Sequence, residues 1–252
     1  MRIVTLLTDF GSYYPGVMKG VIWKLAPEAI IADITHEVEP QNIFQGAFLL
    51  YHSYRYFDGA IHVAVVDPGV GSGRRALAVL TRNNVFIGPD NGILYPSASE
   101  DGIVKVYEIS ESVSELVGTL STTFHGRDVF APAAALALRG KYEGYFKETD
   151  RMLRMDIFDY AVGEERIRCR VAFVDRFGNI VTNLRAEDVK AKAFYFGGVK
   201  FPVVRTYSEV DPGEPLALIG SFGTLELSVR EGNASDLVGI RKGNVEIELE
   251  VV

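Results

Sequence analysis

His62–Val79, HVAVVDPGVGSGRRALAV, sets an acidic residue, a proline, three glycines and two arginines between two apolar runs. Both runs are short and rich in valine, alanine and leucine, the pattern of strands inside a covered sheet. A strand that ends in so polar a loop fits an open α/β sheet, in which ligands bind beyond the carboxyl ends of the strands.

The chain upstream keeps that rhythm. RIVTLL and AIIADI read as strands, with GVMKGVIWKL between them at helical spacing and stopping before Pro27. Downstream of Asn42, NIFQGAFLLYHSYRYF reads as a helix, AIHVAVV as a buried strand, and ALAVLT and NVFIG as two strands turned at Asn83 and Asn84. RDVFAPAAALALRG is a helix closed by Gly140. From about Arg168 the pattern changes to short alternating segments, RVAFV, FYFGGVKFPVV, PLALIG, TLELSV and VEIELEVV, broken by Gly, Asn, Asp and Pro. The expected organisation is an α/β domain with a central, mostly parallel sheet over residues 1–160 and a smaller all-β domain over 161–252.

Composition narrows the partners. The 252 residues are 48% hydrophobic and carry a net charge of −7, which suits a soluble domain with a sizeable core and argues against a nucleic-acid partner. Cys169 is the single cysteine and has no partner for an intramolecular disulfide. No leader-like segment and no apolar run of membrane-spanning length is visible, so no membrane partner and a cytoplasmic location are expected.

Three polar clusters stand out. TDFG places Asp9 after the first strand, either as a turn residue or as a carboxylate for the two hydroxyls of a ribose. The opening loop is no phosphate cradle: GVGSG matches neither the dinucleotide fingerprint nor a P-loop, and a strand rather than a helix follows it. Asp67, Arg74 and Arg75 remain, as a turn initiator with surface charges or as a site that the glycines let something approach. STTFHGRD puts His125 before a helix, where the dipole disfavours protonation. His36, His52 and His62 lack a zinc-binding pattern, and no metal site is expected. In the β region, VDRFGNIVTN offers Asp175, Phe177 and Asn179, and GSFGT offers Ser221 and Phe222. An amide and an aromatic ring suit the edge and face of an adenine, although both stretches also read as ordinary hairpins.

Taken in order, TDFG, MKG, VVDPGVGSGRR, GPDNG, TFHGRDVFAPAAA, DRFGN and GSFGTLELSV resemble one family, the S-adenosyl-L-methionine hydroxide adenosyltransferases, relatives of the fluorinases and chlorinases. The resemblance implies a barrel-like C-terminal domain and a homotrimer with sites between subunits. It implies hydrolysis of S-adenosyl-L-methionine to adenosine and methionine, with no cofactor. It assigns an Asp-Arg-His catalytic set to Asp67, Arg74 and His125, with Arg75 ranked second to Arg74. It further assigns the ribose carboxylate to Asp9, the adenine amide to Asn179 with Phe177 and Phe222 as walls, and the methionine amine and carboxylate to Asp175 and Ser221. Under that resemblance Arg74 stabilises hydroxide, and His125 positions the water and is available to take its proton. The Asp9–Lys19 loop is shorter than the family's, so contacts of Ser12–Tyr14 are not assigned, and Gln41 stands where halogenases carry a tryptophan. The alternatives are a halogenase and a non-catalytic adenosine or S-adenosylmethionine binder.

Overall fold

The computed structural model describes residues 3–252. The chain divides into two compact units, the first running through Met155 and the second from Asp156 to Val252. The boundary expected near residue 160 falls in the leading segment of the second unit.

In the first unit the elements run β1 (Ile3–Thr8), α1 (Tyr14–Leu25), β2 (Ile30–Thr35), α2 (Ile43–Ser53), β3 (Ile61–Val65), β4 (Ala76–Thr81), β5 (Val85–Pro89), α3 (Tyr95–Asp101), β6 (Ile103–Ile109), α4 (Ala131–Leu138) and β7 (Phe146–Thr149). They form one seven-stranded sheet in the order β2-β1-β3-β5-β4-β6-β7. The sheet is mixed: β1 pairs in parallel with β2 and β3, and β3 with β5. The remaining neighbours are antiparallel, because β4 and β5 form a hairpin, as Asn83 and Asn84 suggest, and β6 and β7 extend it. Asp101 fixes that hairpin by accepting from Thr81 Oγ1, Asn83 Nδ2 and Asn84 Nδ2.

Side chains alternate across a strand, and β3 shows where the layers lie. Ile61, Val63 and Val65 join one core with Met18 and Ile22 of α1 and Ala131 and Ala134 of α4. His62 faces the other way, accepting or donating at 2.8 Å with Thr5 Oγ1 and stacking on Phe86. Burial lowers its pKa to about 4, so it serves as a neutral core residue. The helix after His125 begins with one wide π turn, Gly126–Phe130, before α4 takes over with Pro132 in its first turn.

The second unit holds β8 (Ala161–Val162), β9 (Arg166–Val174), β10 (Ile180–Arg185), β11 (Ala193–Phe196), β12 (Val199–Pro202), β13 (Pro215–Ile219), β14 (Thr224–Val229), α5 (Ala234–Val238) and β15 (Val245–Val251). Its sheet runs β12-β11-β15-β9-β10-β14-β13, with β8 on β9 and antiparallel pairing between neighbouring strands. A bridge from Val203 to Ala217, with Val204 N donating to Ala217 O at 2.9 Å, brings the two ends together into a nearly closed barrel. Ile167, Val171, Leu184, Phe194, Leu225, Leu227 and Leu249 fill it.

Asn42 caps α2, its side chain accepting from Gln45 N at 3.0 Å. Asn42→Ala removes that acceptor and is expected to lower stability by about 1 kcal/mol, read as a shift in urea midpoint at unchanged m-value.

Candidate active site

The strand order creates a switch point. From β1 the chain goes to β2 on one side, and β3 then returns on the other, so the carboxyl ends of β1 and β3 flank a crevice. Asp9 follows β1 and Asp67 follows β3. Asp9 Oδ2 accepts from Gln41 N at 2.8 Å, and Gln41 takes a left-handed conformation, φ 66°, to present it. Burial raises the Asp9 carboxyl above its usual value against these backbone bonds, and the charge of Asp67 adds to the shift.

After Asp67 the loop folds in two successive turns, Val70 N donating to Asp67 O and Ser72 N to Gly69 O. Gly71 has φ 75°, and a Cβ there would meet the carbonyl oxygen of Thr122 at 2.4 Å. A glycine is therefore what lets this loop lie against the segment that carries His125. The chain then enters β4 through Arg74 and Arg75, whose side chains take different carboxylate partners.

The hydrogen bonds divide the two arginines between different partners. Arg74 Nε donates to both oxygens of Asp67 at 3.0 and 2.9 Å, and its Nη2 donates to Asp67 Oδ2 and, at 2.9 Å, to His125 Nδ1. The two ion-paired side chains are 11% and 4% exposed, and the guanidinium also lies over the Phe130 ring, 5.2 Å from its centroid. Arg75 instead pairs with Asp90, which follows β5 and also accepts from Leu153 N at 2.7 Å. The β4–β5 register, Ala76 opposite Pro89, puts Arg75 and Asp90 side by side.

A guanidinium only donates, so Nδ1 of His125 accepts and the proton of the neutral ring sits on Nε2. The His125 side chain lines a cleft of about 420 Å³ together with Arg74, Arg75 and Glu111. Its pKa is lowered from 6.5 by burial first and by the Arg74 charge second, while Asp67 partly opposes the shift. The direction is the one expected from the helix start, but burial and a neighbouring cation are its causes. Asp128 is fully buried and holds the segment in place, accepting from Ser121 N at 2.7 Å and from Arg127. Asp128 and Phe130 support the site without having been singled out from the sequence; only their place in the polar-then-apolar run after His125 hints at it.

The other candidates meet on the second unit. Asp175, Phe177, Asn179, Ser221 and Phe222 line one pocket of about 550 Å³, and Phe177 and Asn179 also border a second of about 700 Å³. Phe177 is exposed, whereas Asn179 is buried, and Phe222 packs edge-on against Phe173. Asp175 is largely engaged within its own turn: Oδ1 accepts from Phe177 N and Asn179 N at 2.8 and 2.9 Å, and Oδ2 from Asn179 Nδ2 at 3.0 Å. Among the described residues no group of three or more His, Cys, Asp or Glu could hold a metal ion, and no helix is long and apolar enough to cross a membrane.

A mixed α/β unit with a polar cluster at its switch point, followed by a β-barrel-like unit, matches two family models. Residues 4–144 match the SAM hydroxide adenosyltransferase N-terminal domain, and residues 169–246 match the C-terminal domain. The chain belongs to the SAM hydroxide adenosyltransferase family. It is 36% identical to a protein of Methanocaldococcus jannaschii named (R)-S-adenosyl-L-methionine hydrolase, over 95% of this chain and 93% of the relative. A crystal structure of an uncharacterized conserved protein from Thermotoga maritima superposes with a TM-score of 0.86 at 35% identity, covering 98% and 99% of the two chains. A fluorinase of Actinopolyspora mzabensis is more distant, 22% identical over 96% and 95%.

The lowered His125 pKa has a direct readout. In NMR titration the His125 ring is expected to stay neutral as pH falls through 6.5 and to protonate only below it; a midpoint at or above 6.5 contradicts the account.

Proposed function

We propose that this protein hydrolyses S-adenosyl-L-methionine to adenosine and L-methionine, by in-line attack of water or hydroxide on the ribose 5′ carbon. The observation that carries the reading is the contact of Arg74 with both Asp67 and His125 at the switch point of the sheet, in a chain of this family. The relative named for the R sulfonium epimer supports that epimer as the preferred substrate here.

The substrate's 5′ carbon is bonded to a sulfonium and is already electrophilic. Attack forms the C5′–O bond and breaks the C5′–S bond, whose electron pair leaves with neutral methionine. No acid is needed for departure. The demanding partner is the nucleophile, since bringing water from a pKa of 15.7 to neutral pH corresponds to about 12 kcal/mol of hydroxide stabilisation. Arg74 supplies a fixed positive charge for that oxygen, and Asp67 fixes the guanidinium. His125, with its proton on Nε2, has a donor to aim at the oxygen. This sharpens its expected role from proton acceptor to positioning donor: in this tautomer Nε2 has no free lone pair, and a second ring proton would face Arg74. The water's proton therefore leaves to solvent.

Asp9 is the proposed ribose carboxylate. Asn179 and the rings of Phe177 and Phe222 are proposed for adenine, and Asp175 and Ser221 for the methionine end. Family resemblance supports a homotrimer whose sites take residues from two subunits. Fluorinases lie at lower identity, and Gln41 in the place of the halogenases' tryptophan favours water over halide.

Chromatography of purified protein incubated with each sulfonium epimer is expected to show adenosine and methionine in equal amounts, faster from the R epimer. A 5′-halo nucleoside in the presence of chloride, or no turnover, overturns the reading. Arg74→Lys, which keeps the charge but loses the fork, should lower kcat by roughly 100-fold with little change in KM. Arg75→Lys should leave kcat within a few-fold.

A further inference from the structure

The proton of the nucleophilic water needs a way out. In the tautomer that Arg74 enforces, His125 Nε2 carries a hydrogen and donates, so the neutral ring has no lone pair left for that proton. Asp67 is committed to Arg74, two of whose nitrogens donate to it, and its side chain is buried. Under the hydrolytic reading a ribose held by Asp9 covers the pair from the β1 side during attack. The proton must therefore leave on another side.

The strand order supplies one. β1, which leads to Asp9, lies on one side of β3, and β4 and β6 lie on the other. Antiparallel pairing sets Leu77 opposite Glu108, so β6 ends beside the point where Arg74 and Arg75 enter β4. The gap between these chain ends is the cleft of about 420 Å³ that His125 lines. Its lining is buried at His125 and Val129 and exposed at Gly73 and Glu111.

Four charged side chains line this cleft with His125: Arg74, Arg75, Glu108 and Glu111. The arginines are paired with Asp67 and Asp90 and have no acceptor to offer. Glu108 stands within the sheet, opposite Lys147 of β7. Glu111 opens the 3-10 turn Glu111–Leu116 that follows β6, and among the described residues its carboxylate has no hydrogen bond or ion pair. Its charge reaches the histidine, opposing the fall in the ring's pKa.

We infer that Glu111 accepts the proton of the nucleophilic water, through water in the cleft beside His125, and hands it to bulk solvent. The inference rests on the hydrolytic reading. As the oxygen attacks C5′ and the C5′–S electron pair leaves with methionine, one O–H bond breaks. Its electrons stay on the oxygen that becomes the 5′-hydroxyl, and the proton passes to the carboxylate. A carboxylate reached through a water satisfies the geometry of general-base catalysis.

The test measures kcat, KM and the solvent deuterium isotope effect in weakly buffered solution, with and without imidazole as a small diffusible base. Glu111→Gln keeps the size of the side chain and removes the acceptor. It is expected to lower kcat by about 100-fold, to leave KM for S-adenosyl-L-methionine within about twofold and to raise the isotope effect. Imidazole should restore most of the lost kcat, which it would not do for a structural defect. A Cβ at Gly73 meets nothing within 4 Å, so Gly73→Leu narrows the cleft, and in the double variant the rescue should disappear. An unchanged kcat in Glu111→Gln, a loss confined to KM, or a loss that imidazole does not restore overturns the inference while leaving the hydrolytic reading intact. Rescue of the double variant as strong as that of the single one overturns the cleft as the route. A wild type that releases no adenosine from S-adenosyl-L-methionine overturns both readings.

Discussion

The Arg74 guanidinium, held by the Asp67 carboxylate and donating to His125 Nδ1, is the interaction on which the rest of the first unit's site depends. A buried carboxylate with 4% of its side chain exposed is stable only with its cation in place. The loop that supplies both residues must fold back on itself, and it lies on the His125 segment only because position 71 has no side chain. The same contact sets the chemistry of the histidine. It places the ring proton on Nε2, and it opposes a second one.

The parts that hold this cluster are spread over the sheet. The switch between β1 and β3 brings Asp9 and Asp67 to one edge, close enough that Asp67 contributes to the raised pKa of Asp9. Antiparallel pairing of β4 with β5 sends Arg75 to Asp90 and leaves Arg74 for Asp67. Asp128, buried under the start of the helix, ties Ser121 and Arg127 to the His125 segment. Under the hydrolytic reading, a fixed cation and a fixed N–H donor facing one oxygen amount to the preorganised electrostatics that a hydroxide nucleophile requires.

Much of this was legible in the chain. The apolar runs around residues 62–79 marked buried strands, and the shift to short alternating segments after Arg168 marked the β unit, because burial pattern alone separates these cases. Asp67, His125 and the DRFGN turn were visible as polar breaks between apolar runs. Residue types alone did not separate Arg74 from Arg75, which only the family resemblance ranked, since adjacent arginines differ only in where strand register puts them. The histidine tautomer was hidden for the same reason, as it depends on which arginine arrives. Glu226 was obscured differently: in TLELSV it reads as the solvent face of an alternating strand, whereas it is buried and accepts from Tyr207 and Ser228.

The central claim is that the oxygen entering at C5′ comes from water held by the Arg74–His125 pair. Turnover of S-adenosyl-L-methionine in 18O-enriched water, followed by mass spectrometry of the adenosine, measures it directly. The account predicts one solvent 18O in the 5′-hydroxyl of each adenosine formed. Adenosine without label, or a 5′-deoxynucleoside carrying another nucleophile, contradicts it.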